Sequence, residues 1–416
     1  MALIVQKFGG TSVGDADRMQ AVAEHIAFTR SHGHDVVVAV SAMGKATDNL
    51  IALANSVSRT QPGRELDMLL TTGERVSAAL LTMALSDLGI DAVSFTGSQV
   101  GIITDTSHGK AKIVEVKGDR VRDALAAGKV CVVAGFQGVS TEREITTLGR
   151  GGTDTTAVAL AAALKADACE IYTDVTGVFS ADPRIVPLAR KLPRVHFDEM
   201  LEMAGAGSRV LALRSVEFAR NHNVPIHVRS SFTWEQGTWV NFEEPGMEDP
   251  IISGVVTDAN DAKVTVLGVP DQPGVSAALF EPLAARNVVV DMIVQNTSTE
   301  GHTDISFTVP KADMTVSEQI VGQVATEIGA KGVTHDADIA KVSIVGAGMK
   351  TSPGIAAKMF RTLADENVNI EMISTSTIRV SVVVALSDLE RAARSLHTAF
   401  DLDGNQGYSA PLPERK

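Results

Sequence analysis

Leu3-Ile4-Val5-Gln6-Lys7-Phe8-Gly9-Gly10-Thr11-Ser12 is an apolar run that breaks on two adjacent glycines. Branched aliphatics favour a strand, and Gly-Gly ends it. The stretch from Ala16 to Arg30 then carries a helical pattern. Strand, glycine loop and helix form the elementary unit of an α/β sheet. The alternation continues, with strands expected at Val36–Ser41, Ala92–Phe95, Val130–Phe136, Ala168–Thr173 and Pro225–Val228. Helices are expected between them, among others at Arg75–Leu88 and Thr155–Leu164. Such an order predicts a largely parallel sheet covered by helices on both faces. Ligands of these sheets gather in loops beyond the carboxyl ends of the strands, where this chain places its glycines.

Composition bounds the function. A chain of 416 residues has room for two or three domains, and 44% apolar residues suffice for their cores. A formal charge of −13 argues against nucleic acid as a partner, because phosphate contacts need clustered Lys and Arg. Cys131 and Cys169 sit in apolar runs and read as small core residues; no metal-ligand spacing surrounds either, so no metal site is expected. No apolar run approaches a membrane span, and no basic stretch followed by a long apolar one marks a signal peptide. A cytoplasmic protein is expected.

Near Thr233–Pro250 two tryptophans, several acids and two prolines break the periodicity, which places a domain boundary there. Beyond it the sequence repeats. Lys263-Val264-Thr265-Val266-Leu267-Gly268 matches Lys341-Val342-Ser343-Ile344-Val345-Gly346, and Pro273-Gly274 matches Pro353-Gly354. Asn287-Val288 matches Asn367-Val368, and Asp291-Met292-Ile293 matches Glu371-Met372-Ile373. Each repeat reads as a ferredoxin-like βαββαβ unit. The second lacks a last strand, and Ile251–Val256 is a spare strand before the first. The expectation is that this strand completes the second repeat and that the first is an insertion.

Several loops carry chemistry. Lys7 to Ser12 suits a phosphate, since glycines admit close approach and a following helix offers its N-terminal amides. A plain tight turn explains Gly9-Gly10 as well, and neither a Walker A loop nor GxGxxG is present. Ser41-Ala42-Met43-Gly44 ends the second strand, with Thr47-Asp48 just after. Thr71-Thr72-Gly73-Glu74-Arg75 opens a helix, where Thr and Glu also serve as cap and dipole partner. Gly149-Arg150-Gly151-Gly152-Thr153-Asp154-Thr155-Thr156 places more polar residues before an apolar helix than a cap requires, which points to an anionic substrate. Tyr172 to Phe179, followed by Ala181-Asp182-Pro183-Arg184, offers a strand end and a turn for a nucleotide, or else a plain β-hairpin.

Taken together, these motifs closely resemble the aspartate kinases of the amino-acid kinase family. The resemblance covers nearly the whole chain, and the repeat resembles that family's tandem ACT domains. It implies a three-layer α/β/α amino-acid kinase domain followed by two ferredoxin-like (βαββαβ) ACT domains. The boundaries would be 1–240 for the kinase, 263–337 for the first ACT domain, and 251–257 plus 338–410 for the second. The implied reaction is transfer of the ATP γ-phosphoryl group, with Mg2+, to the β-carboxylate of L-aspartate, which opens lysine, threonine and methionine synthesis.

By the same resemblance Lys7 and Asp154 are catalytic. Lys7, Gly9, Gly10, Ser41, Thr173, Asp174, Phe179, Asp182, Arg184 and Arg209 would bind ATP. Thr47, Glu74, Arg150, Gly151, Gly152 and Thr153 would bind aspartate. Arg209 is a departure, because the family usually has lysine there. Lysine and/or threonine would act as effectors at the ACT pair, with Asp271, Gly274, Ser276, Asp291, Gln295, Asn369, Ser374 and Thr375 as candidate contacts. Self-association through the ACT domains is implied, and Met247 stands where an internal start would yield a shorter regulatory subunit. The rival expectations are a kinase for another carboxylate, such as glutamate or acetylglutamate, and an inactive sensor on a kinase scaffold.

Overall fold

The computed structural model describes residues 1–242, 251–296 and 301–404, which divide into two compact units. The first comprises Met1–Val178, Lys191–Ala204 and 209–242. The second comprises Phe179–Arg190, Gly205–Ser208 and the described residues from 251 onward.

The strands of the first unit are β1 (Leu3–Phe8), β2 (Asp35–Val40), β3 (Ala92–Phe95), β4 (Ile102–Thr104), β5 (Ile113–Val116), β6 (Val130–Ala134), β7 (Gln137–Ser140), β8 (Ile145–Thr147), β9 (Ala168–Thr173), β10 (Arg194–His196), β11 (Ile226–Ser230) and β12 (Thr238–Asn241). Eight of them form one sheet in the order β10-β12-β11-β9-β1-β2-β6-β3. Its pairings are parallel except between β11 and β12. The near-continuous apolar runs Asp35–Val40 and Val130–Ala134 are buried because helices cover both faces. On one face the helices Ala16–Ser31 and Thr72–Asp87 pack Ile26, Leu81 and Leu85 against Val38, Val40 and Val132. The helix Gly152–Leu164 packs against β1, β2 and β9.

Two features differ from the sequence expectation. The strand expected to run to Phe136 stops at Ala134, because Phe136 adopts φ +66 and turns the chain out of the sheet. A separate four-stranded sheet, β5-β4-β7-β8, was not foreseen, since its strands are only three or four residues long.

The strands of the second unit are β13 (Gly254–Asp258), β14 (Asp261–Pro270), β15 (Ile293–Gln295), β16 (His302–Pro310), β17 (Gly332–Asp336), β18 (Ile339–Val345), β19 (Met372–Thr375) and β20 (Arg379–Ala385). The first repeat forms a sheet β15-β16-β14-β17 and the second a sheet β13-β18-β20-β19. β13, which precedes the first repeat in sequence, pairs antiparallel with β18 of the second, Val255 opposite Ile344. It takes the sheet position that β17 holds in the first repeat.

The two repeats meet through Met292, Ile339, Met372 and Val383. Two reciprocal ion pairs flank this contact. Lys263 of the first repeat pairs with Glu371 of the second, and Lys341 of the second pairs with Asp291 of the first. These are the same two positions of the repeat, exchanged. Lys341 is buried, and Asp261 adds a second carboxylate 3.1 Å from its ammonium. Those two acids hold the Lys341 pKa up against its burial. Met247 lies outside the described residues.

Candidate active site

β1 has β2 on one side and β9 on the other, so the sheet order reverses around it. A crevice opens at the carboxyl ends of strands at such a point. Here it is a cavity of about 300 Å³ lined by the loops after β1, β2 and β6 and by the start of the helix Gly152–Leu164. Lys7, Gly9, Gly10, Ser41, Thr47, Glu74, Arg150, Gly151, Gly152, Thr153 and Asp154 all line it. Segments up to about 150 residues apart in sequence are thereby brought to one place.

At the sheet end, Lys7 Nζ lies 2.7 Å from Asp154 Oδ1, in the first turn of that helix. Above this pair, Gly10 approaches the second loop so closely that a Cβ there would lie 2.9 Å from the Ala42 carbonyl. The Gly44 amide donates to the Gly10 carbonyl at 3.0 Å, which ties the two loops together. Ser41 Oγ donates to Thr153 Oγ1 at 2.9 Å and joins the second loop to the helix start.

Gly151 precedes the helix with φ +72, and a Cβ there would lie 2.5 Å from the Ala212 methyl. Both facts require glycine. The Gly152 amide donates to the Gly149 carbonyl at 2.9 Å, while the next amides, of Thr153 and Asp154, have no intrahelical acceptor and no side chain caps them at Gly151. They and the helix dipole favour an anion at the cavity.

Glu74 is 3% exposed and accepts a hydrogen bond from the Ala42 amide at 3.2 Å through Oε1. Its Oε2 is buried and has no hydrogen-bond partner. Burial pushes this carboxyl up to about 7, against the two backbone hydrogen bonds that favour its ion. Glu74 thus meets its own first-turn amide and the Ala42 amide of a distant loop. It is a desolvated carboxyl with one unpartnered oxygen, and exposed Arg150 lines the same cavity.

The remaining candidates lie outside this cavity. Thr173 ends β9 and Asp174 follows it, with Thr173 Oγ1 donating to Asp174 Oδ1 at 3.1 Å. Phe179, Asp182 and Arg184 fall in the second unit, and Arg184 forks onto Asp182 with an Nη2–Oδ2 distance of 2.6 Å. The loop Phe179–Arg190 contains no named strand; the hairpin alternative gives way to a loop closed by Ser180 and Arg190. Arg209 is exposed. Sequence reasoning missed Phe136, which lines the cavity at φ +66 while its amide donates to Thr156 Oγ1 at 3.1 Å. No local pattern marks such a residue.

Of the effector candidates, Asp291 is held by Lys341, and Ser276 Oγ lies 3.5 Å from Gln295 Oε1. Gly274 has φ +95 at the start of the helix Val275–Ala285. Asp271 and Asn369 are exposed, while Ser374 and Thr375 lie in β19.

Residues 2–230 match the amino acid kinase family, and residues 264–323 and 342–400 match the ACT domain. The chain belongs to the aspartokinases of the amino acid kinase family. It is 53% identical over 411 residues to the aspartokinase of Corynebacterium efficiens, covering 98% of each chain. It is 54% identical over 405 residues to that of Pseudomonas aeruginosa, covering 97% of this chain and 98% of the other. Among solved structures, E. coli aspartokinase III in complex with aspartate and ADP superposes with a TM-score of 0.81 at 25% identity, covering 95% of this chain and 99% of the other. The same enzyme in complex with lysine and aspartate gives 0.75 at 26%, covering 96% and 99%. The chain is thus an aspartate kinase, a phosphotransferase whose acceptor is a carboxyl group. No helix among the described residues is long and apolar enough to cross a membrane.

Proposed function

We propose that this chain transfers the γ-phosphoryl group of ATP to the β-carboxylate of L-aspartate, giving 4-phospho-L-aspartate and ADP. The observation that carries the assignment of the acceptor is Glu74. It is a buried carboxylate with one oxygen unpartnered, and it shares a cavity with the guanidinium of Arg150. An α-amino acid presents the complementary charges, its ammonium to Glu74 and a carboxylate to the fork of Arg150. Thr47, Gly151, Gly152 and Thr153 complete the acceptor site.

A carboxylate is already ionised at neutral pH and needs no general base. Its oxygen attacks the γ-phosphorus, the bond to the bridging β–γ oxygen breaks, and ADP departs. The protein's part is positioning and charge neutralisation. Lys7 neutralises the phosphoryl oxygens, and Asp154 fixes the Lys7 ammonium so that it need not reorganise during transfer. Gly9, Gly10 and Ser41 admit the phosphates, to which Arg209 brings a second cation, and Thr173, Asp174, Phe179, Asp182 and Arg184 hold the rest of the nucleotide.

Mg2+ suits this donor set. A cation held mainly by phosphates needs only one or two protein carboxylates. Asp154, on the cavity, would supply one such carboxylate. The bound cation would neutralise charge on the phosphate oxygens.

The product opens lysine, threonine and methionine synthesis in a cytoplasmic setting. Lysine and/or threonine bind the ACT repeats, which also pair two chains, with a shorter subunit started at Met247 as a further partner. The division into 1–240, 263–337, and 251–257 plus 338–410 belongs to the same reading. ATP-dependent trapping of the acyl phosphate as a hydroxamate tests it. Product with aspartate and none with glutamate or acetylglutamate is expected; no product with any carboxylate would leave only the sensor role.

A further inference from the structure

The loop Phe179–Arg190 carries Phe179, Asp182 and Arg184, yet it is built into the second unit. Its Ala181, Val186 and Ala189 are buried in one core with Val342, Ile344 and Leu396 of the second repeat. Ser180 closes the base of the loop and is fully buried. Its amide donates to the Arg190 carbonyl at 2.9 Å, and its carbonyl accepts from the Val255 amide of β13 at 2.7 Å.

The Ser180 hydroxyl lies 2.8 Å from His397 Nε2, and His397 Nδ1 lies 2.7 Å from Asp403 Oδ1. The Arg190 amide donates to the same hydroxyl at 3.0 Å. One direction of donation satisfies every group. The Arg190 N–H donates to Ser180 Oγ, the Ser180 O–H to Nε2 of a neutral imidazole, and Nδ1–H to Asp403. Burial, opposed by Asp403, lowers the His397 pKa and favours that neutral ring.

The geometry is that of a Ser-His-Asp triad, but no hydrolytic chemistry follows. Ser180 and His397 are both 0% exposed, and the Arg190 amide occupies the hydroxyl oxygen. A substrate carbonyl has no path to it. What remains is a buried, fully satisfied link between the loop and the last helix of the second repeat, Leu389–Ala399. Two further bonds follow the same route, from Arg394 Nε to the Ile185 carbonyl at 2.7 Å and from the Gly404 amide to the Leu188 carbonyl at 2.8 Å.

We propose that Ser180, His397 and Asp403 form a positioning relay through which the second repeat sets the place of the nucleotide-binding loop Phe179–Arg190. It rests on the assignment of Phe179, Asp182 and Arg184 to the nucleotide. A displacement of the helix end either carries the loop with it or breaks a buried hydrogen bond, so the state of the second repeat is felt as affinity for ATP.

Steady-state kinetics of full-length Ser180→Ala, His397→Ala and His397→Gln provide the test, with folding checked by thermal melting. The alanine variants should raise KM for ATP about three- to tenfold, the worth of one hydrogen bond, and change kcat and KM for aspartate less than about twofold. The double alanine variant should be no worse than either single one, because both remove the same bond. His397→Gln should recover part of the affinity. Unchanged KM for ATP in a folded variant, or equal rises for both substrates, overturns the relay.

Arg184→Ala separates the two readings. If it leaves KM for ATP unchanged, the nucleotide assignment itself fails; if it raises KM while the relay variants do not, the relay alone fails. Should the relay variants not fold, amide exchange of the wild-type chain decides. ADP should slow exchange in both 180–190 and 389–404, and protection of neither segment, or of the first alone, counts against the relay.

Discussion

The Lys7 ammonium and the Asp154 carboxylate lie 2.7 Å apart, each side chain only 12% exposed, one at the end of the central strand and the other in the first turn of a buried helix. A lysine on a flexible four-carbon stem would otherwise sample several rotamers. Tied to Asp154, it is held at the mouth of the cavity before substrate arrives. Lys7→Ala should lower kcat by two to three orders of magnitude, about 3–4 kcal/mol of transition-state stabilisation. Aspartate binding, followed by calorimetry, should change little. A loss confined to aspartate affinity would show that Lys7 binds the acceptor instead.

Glu74 predicts a pH dependence. Burial pushes its carboxyl to about 7, so the free protein carries it protonated below that pH and ionised above. Only the ion attracts the aspartate ammonium, and KM for aspartate should fall as pH rises through about 7. Its folded pKa lies above the unfolded value, so the stability cost of ionising it appears above the unfolded pKa and is complete above the folded one. Glu74→Gln should therefore abolish the KM trend and stabilise the chain at alkaline pH, by up to about 3 kcal/mol. A KM profile that stays flat from acid to alkaline pH in the wild type would remove Glu74 from the acceptor site.

Gly151→Ala should be costly for a backbone reason. The residue sits at φ +72, and the added methyl would lie 2.5 Å from that of Ala212. Strain of this kind costs about 1–3 kcal/mol, and it falls where the helix start borders the cavity. A lowered melting temperature together with a raised KM for aspartate is expected; an unchanged protein would mean the loop relaxes freely.

Arg209 stands where the family resemblance implies a lysine. Both provide a cation for phosphate, one as a fork and one as a point charge. Arg209→Lys should stay within about tenfold of the parent in kcat/KM, while Arg209→Ala should weaken ATP. An inactive lysine variant would show that the fork is a local adaptation.

The ion pairs between the repeats are not equal. Lys341 is 4% exposed at its side chain and faces Asp261 and Asp291, whereas Lys263 and Glu371 are each 22% exposed. Removing one partner of a buried pair leaves an uncompensated charge, at about 3–5 kcal/mol. Lys341→Ala should thus destabilise the chain in urea far more than Lys263→Ala, and comparable losses would contradict that ranking.

Much of this protein can be read from local signals in its sequence. Strand, glycine loop and helix at Leu3 to Arg30, and the paired Pro-Gly repeats, announce a parallel α/β sheet and two βαββαβ units. Glycines at Gly10 and Gly151 announce close approach. These are properties of periodicity and of residues without a Cβ, which need no knowledge of neighbours. What only the tertiary structure decided depends on partners distant in sequence. The Lys7–Asp154 pair, the unpartnered oxygen of Glu74 and the turned-out Phe136 arise because the sheet order reverses around β1 and gathers separate strand ends. The same holds for Ser180, His397 and Asp403. Each is unremarkable in its own segment, and only packing places a serine of the loop Phe179–Arg190 2.8 Å from a histidine more than 200 residues away. Local chemistry determined the elements, while long-range burial decided which polar groups had to find one another.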